Sequence, residues 1–311
     1  MTKAFVFPGQ GSQAVGMGKE LAGAFAPARE VFEEVDEAVK QKLSKLMFEG
    51  PEEDLTLTEN AQPALMAVSL ACVRVLQKEG GVNFAADAQF VAGHSLGEYS
   101  ALAAAGTFAL ADTARLLKTR GKAMQAAVPV GEGAMAALLG LELDDAQAVA
   151  EEAAQGEICT AANDNASGQV VLSGNRAAIE RAIEIASERG ARRSVLLPVS
   201  APFHCALMAP AADAMAEALS DVKMAAPVVP LIANITASAQ KNVDEIRRLL
   251  VEQVTGMVRW RESVLYMKSK GVDTLVEVGA GKVLTGLARR IDRELSGVAV
   301  GTPEGIEAFL A

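Results

Sequence analysis

Histidine, cysteine and aromatic residues are scarce in this 311-residue chain. It has two histidines (His94 and His204), three cysteines, one tryptophan and two tyrosines, and aromatics make up 4% of it. Such a chain offers few stacking platforms for bases. Its 29 basic against 39 acidic residues leave a net charge of −10, the wrong sign for a phosphate backbone. Nucleic acid is therefore not the expected partner. Cys72, Cys159 and Cys205 are odd in number, far apart and without a Cys-x-x-Cys pair, which argues against a disulfide framework and a zinc site and for reduced thiols. No run approaches the 18 or so continuous apolar residues of a membrane span. Only Met1-Thr2-Lys3 precedes the short apolar run Ala4 to Phe7, which Pro8-Gly9 ends, unlike a secretory signal. A soluble cytoplasmic protein is expected, without membrane partners. Internal repeats, low-complexity tracts and long charge runs are also lacking.

Half of the residues are apolar, enough for a large core and for two domains. Lys3 to Phe7 and Gln89 to Ala92 read as strands. Helical patterns run over Pro27 to Leu46, Gln62 to Gln77, Glu98 to Ala105 and, with Asp112 as its cap, on to about Gln125. Strands alternating with helices predict a layered α/β domain. The next stretch has the order βαββαβ. Its strands are Ala134 to Leu139, Ile158 to Ala162, Gln169 to Leu172 and Ser194 to Leu197; its helices are Asp144 to Ala154 and Asn175 to Glu188, the latter Asn-capped. That is the split βαβ arrangement of a ferredoxin-like module, predicted here as an insertion over residues 129–198. Residues 1–128 and 199–311 form the larger domain, with further strands at Val228 to Ala233 and Thr274 to Val278. Its later helices are Ala209 to Ser220, Val243 to Val254, Arg261 to Ser269 and Lys282 to Ile291. A small domain overhanging a large one is a common setting for a cleft.

The most specific local pattern is Gly93-His94-Ser95-Leu96-Gly97, a Gly-x-Ser-x-Gly set between a strand and a helix. Glycines two residues to either side let a tight strand-to-helix turn expose the serine hydroxyl, the geometry of a nucleophile elbow. The Leu96 amide opens the helix, where unpaired N–H groups favour a developing oxyanion. A serine hydroxyl needs a base, usually histidine. His94 is adjacent to Ser95 in the turn and should point away from it, so His204, in the Pro-bounded loop Pro198 to Cys205, is the better base. A His204–Cys205 pair ranks low, because adjacent residues rarely face each other. Many Asp and Glu residues lie between Ser95 and His204, and no local signature selects one as the orienting acid; a neutral oxygen from an amide side chain or a backbone carbonyl could take that place instead.

Two glycine-rich stretches do not hold up as nucleotide sites. Gly9-x-Gly11-x-x-Ala14 is followed by a charged helical segment rather than a second strand ending in an acid, and Gly279-Ala280-Gly281-Lys282 has Val276 where a phosphate loop needs glycine. Gln10, directly after the first strand, remains a candidate oxyanion donor or substrate contact.

Gly9-Gln10-Gly11-Ser12-Gln13, Gly93-His94-Ser95-Leu96-Gly97-Glu98 and Pro202-Phe203-His204 stand in this order, with Asn234, Gln253 and Glu277-Val278-Gly279-x-Gly281-Lys282-Val283-Leu284 beyond them. Over essentially its whole length the chain resembles the bacterial malonyl-CoA:acyl carrier protein transacylases of type II fatty-acid synthesis. The resemblance implies an α/β-hydrolase-like core with the inserted ferredoxin-like subdomain, and malonyl transfer from malonyl-CoA to acyl carrier protein through an acyl-serine. It implies Ser95 as nucleophile, His204 as base and the Gln253 carbonyl as the group orienting that base. Gln10 and the Leu96 amide then surround the oxyanion, and Arg120 holds the malonyl carboxylate, a role that suits a planar guanidinium fork. Phe203 precedes the histidine, where its bulk disfavours an α-methyl branch. No cofactor or metal is implied, and a monomer is expected. An acidic carrier protein would need a local basic patch; Arg192 and Arg193 are the candidates, with Arg289 and Arg290 as a second pair. Two other readings use the same elbow: a serine hydrolase with water as acceptor, and a non-catalytic carrier-binding subunit. An acid-binding Arg120 separates the transferase from an esterase with an apolar pocket.

Overall fold

The computed structural model describes residues Met1–Ala311. Ten strands form two sheets: β1 (Lys3–Phe7), β2 (Phe90–Gly93), β3 (Gly133–Leu139), β4 (Cys159–Ala166), β5 (Gln169–Asn175), β6 (Arg193–Leu196), β7 (Leu231–Ala233), β8 (Ser238–Gln240), β9 (Thr274–Val278) and β10 (Ser296–Val300). The larger sheet has the order β10-β9-β1-β2-β7-β8 and is parallel except for β8. β1, β2, β7 and β9 are short, apolar and almost wholly buried, as strands of a parallel sheet covered on both faces must be. The long helix Thr58–Lys78 is buried over most of its length against one face, while Trp260, Val264 and Met267 of the helix Trp260–Ser269 pack with the other.

The smaller sheet is antiparallel, in the order β4-β5-β3-β6. The helices Leu143–Ala154 and Arg176–Glu188 cover one face of it in a separate apolar cluster around Leu138, Val149, Leu172 and Ile179. β4 docks this sheet onto the rest of the chain. Val258 donates to the Ala162 carbonyl at 2.8 Å and accepts from the Asp164 amide at 3.0 Å. The buried Asp164 carboxylate receives Arg261 Nε at 2.9 and 3.2 Å. These contacts fix the small sheet over the carboxyl ends of β1 and β2, where ligands bind in open parallel sheets.

The structure departs from the sequence expectations in identifiable ways. The helix expected over Pro27 to Leu46 is two helices, Ala26–Val39 and Leu43–Glu49, because Lys40 adopts a left-handed conformation and ends the first. Asp112 does not cap its helix: Ala109 holds that position, and Asp112, inside the first turn, pairs with Arg115. Asn175 stands at the N-cap of its helix, but its side chain accepts from the Ile158 amide instead. β8, β10 and the helix Pro303–Leu310 were not anticipated. β8 is a three-residue edge strand, and β10 is a half-buried edge strand that opens on Ser296 and Gly297.

The elbow depends on backbone contact that only glycine permits. A Cβ at Gly93 would lie 1.9 Å from the Gly97 carbonyl carbon, and one at Gly97 would lie 2.2 Å from the Phe7 oxygen. By contrast Gly286, inside the exposed helix Val283–Ile291, has nothing within 4 Å of its would-be Cβ. Gly97→Ala is therefore expected to cost about 3 kcal/mol or more, whereas Gly286→Ala should gain about 0.5–1 kcal/mol. Denaturant unfolding of both variants checks this; equal stabilities would contradict the packing described.

Candidate active site

Ser95 occupies the turn between β2 and the helix Gly97–Ala104 with φ +53°, a left-handed conformation that L-residues adopt only when their surroundings enforce it. Asn234, just beyond β7, clamps both sides of the turn. Its Oδ1 accepts from the Ser95 amide at 2.8 Å and its Nδ2 donates to the Gly93 carbonyl at 2.7 Å. The Ser95 Oγ thus projects into a cavity of about 820 Å³ between the two sheets, within the range of small-molecule pockets.

His204, at φ +60°, comes from the loop after β6. Its Nε2 lies 2.8 Å from Ser95 Oγ, and its Nδ1 lies 2.8 Å from the Gln253 carbonyl and 3.1 Å from that of Gly256. Two backbone acceptors at Nδ1 place the proton there, leaving Nε2 free to accept from the serine. The orienting group is a pair of carbonyls at the end of the helix Val243–Thr255, with no carboxylate in contact. Burial pushes the imidazole down to about 3, helped by the nearby Arg120 guanidinium and opposed by the two carbonyl hydrogen bonds. His94 faces the other way: its Nε2 meets Asn165 Oδ1 at 2.8 Å, and its ring packs 5.8 Å from that of Trp260.

Arg120 enters from the helix Leu110–Ala126 and is only 1% exposed. Its Nη1 donates to Gln62 Oε1 at 2.8 Å, and its Nη2 to Gln253 Oε1 at 2.9 Å and to Ser95 Oγ at 3.1 Å. All three acceptors are neutral. A guanidinium keeps its proton even where burial lowers its affinity for it, and a buried charge without a counter-ion is costly. The arrangement is a seat for an anion beside the serine.

The remaining predicted residues divide between this cavity and the surface. Gln10, Leu96 and Phe203 line the cavity with Ser95, Arg120 and His204. The Gln10 side chain donates to Thr58 Oγ1 at 3.2 Å. The backbone amides of Gln10 and Leu96 have no partner within the chain. Arg192 and Arg193 are exposed at the start of β6 and do not line the cavity, and neither do Arg289 and Arg290. Arg290 reaches across to Gln169 of the small sheet at 2.7 Å. Gln62 and Gly256 escaped the sequence reading. A glutamine among the apolar residues of an otherwise buried helix was the available signal for Gln62; a backbone carbonyl such as that of Gly256 leaves none. The three cysteines are buried and unpaired, and no group of three or more His, Cys, Asp or Glu side chains is placed to hold a metal.

A family model described as an acyl transferase domain matches residues 4–301. The chain is 47% identical over 307 residues to the malonyl CoA-acyl carrier protein transacylase of Escherichia coli, covering 99% of this chain and 98% of that one. The chain belongs to the malonyl-CoA:acyl carrier protein transacylase family. Members of this family are acyltransferases, and so is this protein. Its mixed α/β architecture is also that of the acyl-carrier-protein S-malonyltransferase from Bartonella henselae. That crystal structure has a TM-score of 0.98 and 59% identity, with 100% of this chain and 98% of that one covered. A malonyl-transacylase solved in complex with its type II PKS acyl-carrier protein is similar as well, with a TM-score of 0.96 and 42% identity, covering 100% of this chain and 99% of that one.

The lowered His204 pKa makes a direct prediction. A depressed pKa keeps the ring neutral on the alkaline side of about 3, so at pH 5 it remains a base with its proton on Nδ1. Nitrogen-15 NMR of labelled histidine should show this neutral Nδ1–H tautomer at pH 5; an imidazolium signature for His204 at that pH would contradict it.

Proposed function

We propose that this acyltransferase moves a malonyl group from malonyl-CoA to the phosphopantetheine thiol of an acyl carrier protein, through a malonyl ester on Ser95. The observation that carries the reading is the buried Arg120 guanidinium, 3.1 Å from Ser95 Oγ and held only by neutral oxygens. An acyl group ending in a carboxylate supplies the missing negative charge, and a planar fork binds it in two places. The names of the similar proteins support the same substrate and acceptor.

In the first half-reaction Ser95 Oγ attacks the thioester carbonyl while His204 Nε2 takes its proton. The backbone carbonyls on Nδ1 stabilise the resulting imidazolium. Negative charge develops on the former carbonyl oxygen, within reach of the free Leu96 amide and of Gln10. The tetrahedral species collapses as the C–S bond breaks, and His204 returns the proton to the departing thiolate of coenzyme A. In the second half-reaction the carrier's thiol gives its proton to His204 and its sulfur attacks the serine ester. The C–O bond then breaks, and the proton goes back to Ser95 Oγ. Phe203 narrows the acyl end of the cavity against an α-methyl branch. Malonyl-CoA and phosphopantetheine are substrates, and the scheme uses no cofactor.

In this reading residues 1–128 and 199–311 form an α/β-hydrolase-like core, and 129–198 a ferredoxin-like insert. The parallel sheet with Ser95 at the end of β2 and the antiparallel order β4-β5-β3-β6 support that division. The protein acts as a monomer in the cytoplasm; no helix is long and apolar enough to cross a membrane. The carrier docks on Arg192 and Arg193 or on Arg289 and Arg290, since an acidic partner meets an acidic enzyme only through local positive charge.

Intact-protein mass spectrometry after brief exposure to malonyl-CoA tests the chemistry. A malonyl adduct is expected on the wild type, none on Ser95→Ala, and much less on Arg120→Ala; added carrier protein should remove the group and gain it. An adduct that persists in Ser95→Ala, or that is lost only to water, would overturn the reading. If the Gln10 side chain serves the oxyanion, Gln10→Ala should slow loading on the order of a hundredfold; loading near the wild-type rate would assign the donor to the Gln10 backbone amide, which alanine keeps. Charge reversal at both arginine pairs should raise KM for carrier protein while leaving malonyl loading alone, and an unchanged KM would remove them as the docking site.

A further inference from the structure

Glu98 lies three residues past Ser95, on the helix Gly97–Ala104, and is 1% exposed. It does not line the cavity and takes no part in the proton transfers above. Its Oε2 accepts from the Asn234 backbone amide at 3.0 Å and from Gln253 Nε2 at 2.9 Å, while its Oε1 has no partner. Burial pushes the carboxyl up to about 7, against the pull of these two hydrogen bonds and of the Arg120 charge. A carboxyl so costly to bury is retained for what it holds.

It holds the amide of Gln253. The Nε2 end of that amide meets only acceptors: Glu98 Oε2, the Ser95 carbonyl at 3.0 Å and Asn234 Oδ1 at 3.3 Å. The Oε1 end consequently faces Arg120 Nη2 at 2.9 Å. A half-turn of the amide would aim its NH₂ at the guanidinium, donor against donor, and would bring its oxygen up to three other oxygens. The same residue's backbone carbonyl sits on His204 Nδ1, so Gln253 joins the base to the anion seat. We infer that Glu98 is a positioning residue for the acid-binding guanidinium: by accepting from Gln253 Nε2, it keeps Gln253 Oε1 on Arg120 and so sets the fork that selects an acidic acyl group. The inference rests on the reading of Arg120 as the carboxylate site.

The test compares loading of Ser95 from malonyl-CoA and from acetyl-CoA, a thioester with no acid group, in Glu98→Met, Glu98→Gln and Arg120→Ala. Glu98→Met keeps the length and removes the acceptor. It is expected to raise KM for malonyl-CoA about tenfold and to change loading from acetyl-CoA far less. Glu98→Gln retains an oxygen acceptor and should recover most of that loss. Equal losses for both thioesters in Glu98→Met, an unchanged malonyl KM, or a Gln variant no better than Met would each overturn the assignment. Arg120→Ala separates the two readings: if it loads malonyl and acetyl groups in the wild-type ratio, the carboxylate site itself is misassigned. Should Glu98→Met fail to fold, Gln253→Met removes the same oxygen from Arg120 and keeps the carbonyl on His204. Selective loss of malonyl loading is expected there too, and an equal loss from both thioesters would again overturn the inference.

Discussion

The active site depends on close backbone passage at the start of the helix Gly97–Ala104, where Gly93 of β2 meets Gly97 and Gly97 meets the Phe7 carbonyl of β1. With less than 2.5 Å available for a Cβ at either position, the chain turns sharply enough to hold Ser95 at positive φ with its hydroxyl facing the cavity. Asn234 then fixes the turn from the adjacent strand by bonding both of its sides. Without that contact neither the serine hydroxyl nor the free Leu96 amide would lie where His204 and Arg120 converge.

Around the elbow the Arg120 charge has no carboxylate in hydrogen-bond contact, and the Glu98 carboxyl reaches it only through Gln253. Arg120 is surrounded by neutral oxygens from Gln62, Gln253 and Ser95, and the same positive charge helps hold His204 neutral. These effects favour the proposed chemistry, in which an incoming carboxylate meets a cation and the serine an unprotonated base. In the reaction proposed above an imidazolium would form close to that cation, and the two carbonyls on Nδ1 and the negative charge of a bound acid group would both offset the repulsion.

Much of this was legible in the chain because the informative residues are local. The elbow glycines, the lone eligible histidine and the strand-helix alternation can each be read within about ten residues, and the parallel core strands announce themselves as short apolar runs. What escaped has physical reasons. Caps depend on which donors compete for a side chain, and Asn175 is taken by the Ile158 amide from a neighbouring strand. Lys40 breaks a helix whose apolar periodicity continues beyond it. β8 and β10 pair at sheet edges, where sequence patterning is weakest. Gly256 contributes only a carbonyl, so its residue type says nothing of its contact with His204.

The sequence by itself pointed to the elbow, to His204 rather than His94 as the partner of Ser95 and to the layered α/β class, because each follows from short-range sterics or from the rarity of a residue type. Only the tertiary structure decided which oxygens orient His204, that Arg120 is buried with only neutral acceptors in hydrogen-bond contact, and that Glu98 reaches the site through Gln253. Those relations join residues 25 to 158 positions apart. Packing, not periodicity, brings such residues within hydrogen-bond distance, and burial turns an arginine from a solvated surface charge into one that favours a nearby anion.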